Sequence, residues 1–336
     1  MQIFQNFSLL NHNTFKIQVK TDFFIAIDSI DDYQHIFSEN MLINKKKLFL
    51  GAGSNVLFTQ NFAGYVIQSS ENAIKIINED NKFIWIECDS GLNWHHFVKF
   101  CVDNNFYGIE NLAMIPGSIG AAPVQNIGAY GIEQSALFDS LIAFDFEKGT
   151  FVKLDKSQCD FGYRYSILKS HNMQNHFVVK VTYKLNKQFN PNLKYKELAN
   201  YFAKNTSISA QNVFDAVCKI RKKKLPNPEI LPNAGSFFKN PIIDEKKFLK
   251  ISHLLPPNSY FKLDDGNYKI SAANLIEYAG WKGYHYNNCG VYEKHSLILV
   301  NYNSSQGKEL LNLAEKIINT ISEKFNIEIE PEVVII

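Results

Sequence analysis

Two glycine-rich stretches of this sequence have the composition of loops that hold phosphate groups or a flat ring. The first, GAGSN at 51–55, follows the apolar segment KLFL, and consecutive backbone N–H groups in such a turn form a concave anion site. The second, IPGSIGAAPVQNIGAYGIE, spans 115–133. Glycines in this number favour positive φ or the close approach of a large group to the main chain. Two such loops suit an extended dinucleotide, one at its pyrophosphate and one against its ring.

The glycine pattern leaves simpler alternatives open. The first stretch does not match the dinucleotide fingerprint G-x-G-x-x-G, because position 56 is valine, and no helical pattern follows it. An ordinary Rossmann domain is therefore not predicted. A glycine-rich turn after a strand is commonly only a turn, and the second stretch is also compatible with an Ω-loop packed on itself.

Three polar side chains stand in settings that suit chemistry. Arg164 lies among aromatics and hydroxyls in FGYRYSILK, where a guanidinium grips a carboxylate with two parallel hydrogen bonds. Ser236 follows a glycine in NAGSFFKNP, which exposes its hydroxyl beside two phenylalanines. Glu332 borders the apolar run VVII, and a carboxyl buried there must be paired or protonated.

Each of these residues also has a common structural explanation. A strand arginine often pairs with a surface acid, a serine often satisfies its own turn, and a terminal glutamate is often exposed. Ser236 has no G-x-S-x-G frame, so a hydrolase nucleophile is not indicated. The basic run RKKK at 221–224 ends an amphipathic helix, where cations oppose the helix dipole. Lys222 and Lys223 fit a solvated helix end, whereas Lys224 is better placed to reach a ligand phosphate.

Composition narrows the class of protein. A chain of 336 residues with 46% hydrophobic and 20% charged content predicts about two globular domains. A net charge of +2 singles out neither a nucleic-acid nor a membrane partner. Five cysteines without a C-x-x-C pair argue against a metal cluster and suit a reducing compartment. No export signal or membrane-length apolar run is visible, so we expect a soluble cytoplasmic protein without a metal.

The remaining pattern predicts an α+β protein. Strands are expected at 23–27, 47–50, 64–68, 83–88, 141–146, 151–154, 177–185, 297–301 and, from alternation, 327–336. Helices are expected at 31–40, 90–105, 212–224, 271–280 and 307–326, with a proline-rich loop at 226–241. Two of these helices carry clear apolar faces. The faces are Trp94, Phe97, Val98, Cys101 and Val102 in one and Leu310, Leu313, Ala314, Ile317 and Ile321 in the other.

Taken together, these stretches resemble one family closely. NTF (13–15), GAGSNVLF, NLAMIPGSIGAAPVQNIGAYGIE, YRYSILK, NAGSFFKNP, KHSLILVN and EPEV occur here in the order seen in the UDP-N-acetylenolpyruvoylglucosamine reductases. Those flavoenzymes complete UDP-N-acetylmuramic acid for the peptidoglycan of the bacterial cell wall, and thus serve cell shape and division. The match covers nearly the whole chain. The segment LKYKELANYF (193–202) resembles the substrate-covering tyrosine loop of the longer subclass.

The resemblance implies a fold, cofactors and partners. It implies a two-lobed FAD-binding region of the vanillyl-alcohol-oxidase (PCMH) type, at about 20–188, followed by a C-terminal α+β substrate domain. The corresponding domains are 1–70 for the first lobe, 71–205 for the second and 206–336 for the substrate domain. The family uses FAD and NADPH on a small-molecule UDP-sugar, and we expect a cytoplasmic monomer with no nucleic-acid or membrane partner.

The resemblance also assigns roles to individual residues. Arg164, Ser236 and Glu332 match the family's three catalytic positions, with Ser236 as the proton donor to the substrate. Substrate contacts are implied for Tyr163, Tyr195, Lys224, Asn240 and His295. FAD contacts are implied for Gly51, Gly53, Ser54, Asn55, Pro116, Gly117, Ser118, Gly120, Asn126, Gly128, Ala129, Tyr130 and Gly131.

Two other functions remain alternatives at this point. A flavin oxidase of the same superfamily would explain both glycine-rich loops but not the NAGSFFKNP and EPEV segments. A flavin- or nucleotide-binding protein without catalysis would give no reason for Arg164, Ser236 and Glu332 to coincide with the motif positions.

Overall fold

Each of two structural units is assembled from three separate stretches of the chain. The computed structural model describes residues 1–204, 207–304 and 306–336. The first unit contains Met1–Phe7, Thr21–Ala52 and Ala63–Lys223, and the second contains Ser8–Lys20, Gly53–Phe62 and Lys224–Ile336. The predicted junction between residues 205 and 206 lies outside the described residues, and the division into lobes at 1–70, 71–205 and 206–336 stays a prediction.

The chain contains both strands and helices, with runs of consecutive strands, as expected for an α+β protein. The strands are β1 (Gln2–Ser8), β2 (Lys20–Ile27), β3 (Lys47–Phe49), β4 (Val56–Leu57), β5 (Phe62–Ser69), β6 (Ile74–Glu79), β7 (Phe83–Asp89), β8 (Gly128–Ala129), β9 (Ile132–Glu133), β10 (Phe138–Asp145), β11 (Thr150–Asp155), β12 (His176–Asn186), β13 (Asn233–Ser236), β14 (Ile242–Ile243), β15 (Tyr260–Lys262), β16 (Tyr268–Ile270), β17 (His285–Tyr286), β18 (Cys289–Val291), β19 (Ile298–Asn301) and β20 (Val334–Ile335). The helices are α1 (Ile30–Ser38), α2 (Trp94–Asp103), α3 (Lys196–Phe202), α4 (Ala210–Lys224), α5 (Glu245–Ile251), α6 (Ala272–Tyr278) and α7 (Gly307–Phe325).

The first unit is built on two sheets. One has the strand order β1-β2-β5-β3 and the other the order β11-β10-β12-β7-β6. The second sheet is antiparallel throughout, with β12 paired to β10 on one side and to β7 on the other. Helix α2 begins after Asn93, whose Oδ1 accepts a hydrogen bond from the N–H of His96 at 3.0 Å, a side-chain cap of the first helical turn. Its predicted apolar face is buried in the core of this unit.

The second unit contains two small antiparallel sheets and a parallel pair. The sheets have the strand orders β13-β19-β18-β17 and β14-β16-β15. Strand β20 pairs in parallel with β4, with Val334 opposite Val56. The predicted apolar face of α7 is buried, and α6 ends before Gly280, which has φ +89°, as predicted. This β4–β20 pair brings the end of the chain beside the residues that follow GAGSN.

The structure departs from the sequence prediction in several places. Residues 226–241 are not wholly loop, because they contain β13. The 327–336 segment alternates as predicted, with Ile327 and Ile329 buried, but only β20 is a strand. The prediction also lacked several short or exposed elements, namely β1, β4, β6, β8, β9, β14–β18, α3 and α5. Among the described residues, no helix has both the length and the apolar character needed to cross a bilayer.

Candidate functional site

The two glycine-rich loops touch each other within the first unit, at Gly51. A Cβ added to Gly51 would lie 2.8 Å from both Ser118 Oγ and Ala121 Cβ. Gln68 fixes this approach, because its Nε2 donates to the carbonyl oxygen of Gly51 at 2.6 Å. The absence of a side chain at 51 is therefore a packing requirement, and the two loops form one continuous small-residue surface.

The backbone of the second loop is unusual as well as close-packed. Gly117 and Gly131 have φ of 138° and 80°. Two of its residues with side chains also have positive φ, Asn126 at 46° and Tyr130 at 49°, as does Met114 just before it at 57°. Positive φ is uncommon outside glycine, and such strained positions cluster where a ligand is held. The conformation thus supports a binding loop over an ordinary connection.

Asn126 holds the second loop from the inside. Its side chain is fully buried, and its Nδ2 donates to Glu133 Oε2 at 2.8 Å and to the carbonyl oxygen of Gly162 at 3.0 Å. Its Oδ1 accepts from the backbone N–H of Ser135 at 3.2 Å. Because these contacts are all to the protein, the structure gives the Asn126 side chain a loop-shaping role.

The other predicted FAD residues of this loop differ in exposure. Pro116 and Gly131 are exposed, Ser118 and Gly120 are buried, and Gly117, Gly128, Ala129 and Tyr130 are half-buried. Gly120 is pressed against Ser90, since a Cβ there would lie 2.6 Å from the Ser90 Cβ. Gly128 and Ala129 form β8, which pairs with β9 in a short hairpin.

Arg164 sits at the corner of a tight turn attached to the second loop. The N–H of Gly162 donates to the carbonyl of Tyr165 at 3.0 Å, and the reverse bond is 3.2 Å. Arg164 has φ 56°, its Nη2 donates to the carbonyl oxygen of Gly128 at 3.4 Å, and its guanidinium lies 5.4 Å from the ring centre of Tyr163. A strained backbone position thus presents a half-buried cation beside the glycine loop.

Tyr130 connects the glycine loop to two other elements of the first unit. Its ring packs edge-on against Tyr195 at 5.1 Å between centroids, and Tyr195 is the residue before α3. Burial raises the pKa of Tyr130 to about 12, while the nearby guanidinium of Arg221 on α4 acts in the opposite direction. Burial in turn lowers the pKa of Arg221. The phenol therefore stays protonated at neutral pH and is available as a hydrogen-bond donor.

In the second unit, the rest of the first glycine loop meets the end of the chain. Gly53 has φ +66°, and a Cβ there would collide with the backbone carbonyl of His12. Beyond half-buried Ser54, Asn55 makes two bonds to the C-terminal segment. Its Nδ2 donates to the carbonyl oxygen of Glu332 at 3.1 Å, and its own carbonyl accepts from the N–H of Val334 at 3.0 Å.

Ser236 lies on the other side of the same C-terminal segment. The N–H of Glu332 donates to the carbonyl of Phe237 at 2.7 Å, and Phe238 forms a bridge with Pro331. The second unit therefore brings Asn55, Ser236 and Glu332 onto neighbouring backbone. The predicted FAD residue Asn55 and the neighbour of Ser236 in the chain thus both bond the segment of Glu332.

The conformation of Gly235 turns Ser236 at the end of β13. Gly235 has φ +70°, and its N–H donates to Oδ1 of Asn233 at 2.9 Å. The pairing of β13 with β19 shifts register between Asn233 and Ser236, so the strand is bulged where the hydroxyl is presented. Phe237 and Phe238 are buried and anchor the segment after it.

The three predicted substrate residues of the second unit have separate structural supports. Lys224 is half-buried at the end of α4. Asn240 Oδ1 accepts from the N–H of Ala272 at the start of α6 at 3.0 Å. His295 Nδ1 accepts from the N–H of Leu297 at 3.3 Å, an assignment that makes Nε2 the protonated nitrogen of the neutral ring. The side chains of Asn240 and His295 are thus oriented by hydrogen bonds from the backbone.

Three residues of the first unit were missed by sequence reasoning. Gln68 holds Gly51, Arg221 faces Tyr130, and Asn111 donates to the carbonyl oxygen of Tyr130 at 3.0 Å. Arg221 carried a detectable signal, because it lies one helical turn before Lys224. Gln68 and Asn111 carried none, since their partners are backbone carbonyls distant in sequence. Among the described residues, no cluster of His, Cys, Asp or Glu could hold a metal ion.

Both the N-terminal and the C-terminal parts of the chain are similar to known proteins. Residues 226–336 match the family model for the C-terminal domain of UDP-N-acetylenolpyruvoylglucosamine reductase, and residues 21–155 match a model for an FAD-binding domain. The UDP-N-acetylenolpyruvylglucosamine reductase of Thermus caldophilus has a similar solved structure, with a TM-score of 0.68 at 19% identity over 99% of this chain and 98% of that one. That likeness shows the fold.

Curated relatives are similar over the whole length. The UDP-N-acetylenolpyruvoylglucosamine reductases of Flavobacterium johnsoniae and Amoebophilus asiaticus are each 40% identical over 100% of both chains. That of Aliivibrio fischeri is 39% identical over 99% of this chain and 94% of its own. This chain therefore belongs to the UDP-N-acetylenolpyruvoylglucosamine reductase family.

Proposed function

We propose that this chain reduces UDP-N-acetylenolpyruvoylglucosamine to UDP-N-acetylmuramate in peptidoglycan precursor synthesis, with NADPH as the electron source and FAD as the carrier. The observation that carries the proposal is the set of hydrogen bonds that joins Asn55 to the main chain of the Glu332 segment, and Glu332 to Phe237 beside Ser236. A residue of a predicted FAD loop and two predicted catalytic residues thereby stand on neighbouring segments of backbone, which supports their action at one site.

The residues of the glycine-rich loops fit FAD. The contact of Gly51 with Ser118 and Ala121 leaves no space for a side chain, and a loop of small residues lets a large flat group approach the main chain. Gly51, Gly53–Asn55 and the exposed or half-buried residues of the second loop would hold the cofactor. Gly120 and Asn126 would shape that loop from beneath. When bound, FAD supplies the hydride that the protein itself has no group to deliver.

The side chains of the chain then have to stabilise negative charge on the substrate. An enol ether is electron-rich, so hydride addition at its methylene carbon is favourable only if the adjacent carboxylate absorbs charge as an enolate. Arg164 would provide fixed positive charge for those oxygens, and a protonated Glu332 would donate a hydrogen bond to them. One such preorganised donor is worth roughly 2.7–4 kcal/mol of the barrier.

Ser236 completes the reaction by giving a proton to the carbon next to the carboxylate. The hydride and the proton together add two hydrogens across the double bond. A hydroxyl is a weak acid, but a carbanionic centre is basic enough to take its proton. The positive φ of Gly235 and the bulge in β13 support this role, because they fix where the hydroxyl points.

The substrate residues divide by charge and shape. Lys224 would meet the diphosphate, with Asn240 and His295 as neutral hydrogen-bonding partners. Tyr195, exposed and packed against Tyr130, would cover the sugar nucleotide, and Tyr163 would line the same region beside Arg164. The same proposal takes the enzyme to be a cytoplasmic monomer.

The test begins with the purified protein and its absorption spectrum. Flavin bands, bleaching by NADPH under anaerobic conditions and re-oxidation by the enolpyruvyl UDP-sugar would support the proposal, with the product two hydrogens heavier by mass spectrometry. Re-oxidation by oxygen alone, with oxidation of a sugar or hydroxy acid, would identify a flavin oxidase instead. Bound flavin without turnover of any of these compounds would identify a binding protein.

A further inference from the structure

The segment that carries Tyr195 is held to the glycine loop mainly by the buried amide of Asn111, beside a longer bond from Asn192 Nδ2 to the carbonyl oxygen of Gly131 at 3.5 Å. This segment runs from the end of β12 to the start of α3 in the first unit. Among the described residues, no backbone–backbone hydrogen bond joins residues 188–194 to the rest of the unit. Something other than secondary structure must therefore fix where Tyr195 stands.

Asn111 supplies that connection. Its side chain is 1% exposed, and both N–H groups of its amide are used. Nδ2 donates to the carbonyl oxygen of Tyr130 at 3.0 Å and to that of Asn192 at 2.9 Å. A buried amide whose donors are both satisfied is rigid and costly to disrupt.

The geometry continues from Asn192 to Tyr195 without a break. The Oδ1 of Asn192 accepts from the N–H of Lys194 at 3.2 Å, which is an Asx turn leading into the first residues of α3. Leu198 on α3 is fully buried. Phe189 and Leu193 pack against the core of the unit, and the segment is further fixed by hydrogen bonding at Asn192 and by the burial of α3. Tyr195 lies between these last two points.

Asn111 also holds Tyr130, the residue against which the ring of Tyr195 packs. Tyr130 has φ 49°, a conformation that persists only where its surroundings hold it, and the bond from Asn111 fixes its carbonyl. The same amide therefore sets the backbone of both partners in the Tyr130–Tyr195 ring contact at 5.1 Å.

We infer that Asn111 is a positioning residue, which ties the Tyr195 segment to the flavin loop so that Tyr195 stands ready over the UDP-sugar. The inference rests on the proposed function, in which Tyr195 covers the substrate. Asn111 itself touches no reacting atom. Its effect is transmitted through two backbone carbonyls and is therefore expected in substrate binding, with little change in the chemical step.

The test compares Asn111→Leu with the matched control Asn104→Leu in the FAD-loaded enzyme. Asn104 also donates its amide to a carbonyl, that of Phe100 at 2.8 Å, but on an exposed helix end. If Asn111 positions the Tyr195 segment, Asn111→Leu should raise KM for the UDP-sugar by about three- to tenfold and leave kcat nearly unchanged. Such a change means that an interaction present equally in the ground state and the transition state has been lost. Asn104→Leu should leave both constants as in the wild type.

A second measurement follows how often the Tyr195 segment opens, by proteolysis and without catalytic turnover. Lys194 and Lys196 flank Tyr195 and are exposed, so trypsin reports how often the segment opens. Cleavage at these two sites should accelerate about tenfold in Asn111→Leu, since an opening equilibrium follows the loss of buried hydrogen bonds. Cleavage unchanged from the wild type would overturn the inference. Should the leucine variant not fold, Asn111→Ser, which keeps one donor, must show the same two effects in smaller size.

The double variant separates failure of this inference from failure of the proposed function. If Asn111 works through Tyr195, then Asn111→Leu adds nothing to KM in a Tyr195→Ala background, because interacting residues give non-additive changes. Additive changes would overturn the inference while leaving Tyr195 in the site. An unchanged KM in Tyr195→Ala alone would instead remove Tyr195 from the proposed function, and with it the positioning role of Asn111.

Discussion

Glu332 and Phe237 share a main-chain hydrogen bond of 2.7 Å, from the N–H of the first to the carbonyl oxygen of the second. Ser236 precedes Phe237, so this bond sets a carboxyl-bearing residue beside a hydroxyl-bearing one. On the other side, Nδ2 of Asn55 donates a hydrogen bond to the carbonyl oxygen of Glu332 at 3.1 Å. Asn55 and Glu332, which are 277 positions apart, are thereby joined by a bond from a side chain to the main chain.

Gly235→Ala should impair catalysis more than its effect on stability explains. Gly235 has φ +70° with nothing within 4 Å of an added Cβ, so the substitution adds strain of about 1–2 kcal/mol and no clash. Relief of that strain would turn Ser236 away from its present direction. The measurement is kcat together with the melting temperature.

Gly266→Ala is the matched control for that variant. Gly266 has φ +88° and is equally free of neighbours, but it lies in the turn between β15 and β16. Both variants should lose a similar amount of stability, and only Gly235→Ala should lose activity. Equal activity in the two would show that the orientation of Ser236 is unimportant.

Gly51→Ala should weaken FAD binding. The new Cβ would lie 2.8 Å from Ser118 Oγ and Ala121 Cβ, and overpacking of this kind costs roughly 1–3 kcal/mol. Because the contact is between the two glycine-rich loops, we expect them to separate and the dissociation constant for FAD to rise. Gly162→Ala, whose nearest neighbour would be 3.7 Å away, should bind FAD as the wild type does. Unchanged affinity in Gly51→Ala would contradict the role of these loops.

Lys224→Ala should raise KM for the UDP-sugar more than it lowers kcat. The proposed partner of the ammonium group is the substrate diphosphate, which carries no part of the reacting bond, so its loss removes binding in the ground and transition states alike. Lys222→Ala, at an exposed position of the same helix, is the control and should change neither constant. Steady-state kinetics with varied UDP-sugar decide the matter, and an unchanged KM in Lys224→Ala would assign that residue to the solvated helix end.

Glu110→Gln should stabilise the protein at neutral pH. Burial raises the pKa of Glu110, opposed by bonds from the N–H of Gly108. A carboxyl whose pKa is higher in the folded than in the unfolded state contributes stability below its unfolded pKa, and loses that contribution as pH rises through the folded value. Glutamine keeps an acceptor for Gly108 and has no charge to bury.

The stability difference should accordingly depend on pH. The melting temperature of Glu110→Gln should exceed that of the wild type at about pH 7, and the gap should close toward about pH 4, where the unfolded carboxyl also holds its proton. Glu328→Gln, at an exposed position, should show no such gap. A constant difference across this range would mean that the Glu110 carboxyl is not penalised by burial.

The local pattern of apolar and polar residues was sufficient to predict much of the fold. The apolar faces of α2 and α7 repeat at helical spacing and are buried as predicted, because a helix with one apolar stripe has one way to pack. Strand β1 escaped prediction for the opposite reason. Nearly all its residues are exposed, so no alternation between buried and exposed positions marks it. The family resemblance then supplied the site residues that pattern alone left open.

Long-range contacts account for the pairings and bonds that the sequence did not predict. Strand β20 has only two residues and pairs with β4, and β13 has four residues and pairs with β19. Neither strand is long enough to be stable on its own residues, and each depends on the strand with which it pairs. The donors of Asn111 and Gln68 go to carbonyl oxygens of other segments, and nothing in a side-chain pattern reports where a distant carbonyl lies.

The most direct test of the account is the rate of each half-reaction in Ser236→Ala, followed by anaerobic stopped-flow absorbance. With Ser236 as the proton donor to the substrate, reduction of the bound flavin by NADPH should keep nearly its wild-type rate. Re-oxidation by the UDP-sugar should slow by about a hundred- to ten-thousand-fold, the usual contribution of a general acid. Equal slowing of both half-reactions, or wild-type re-oxidation, would contradict the account.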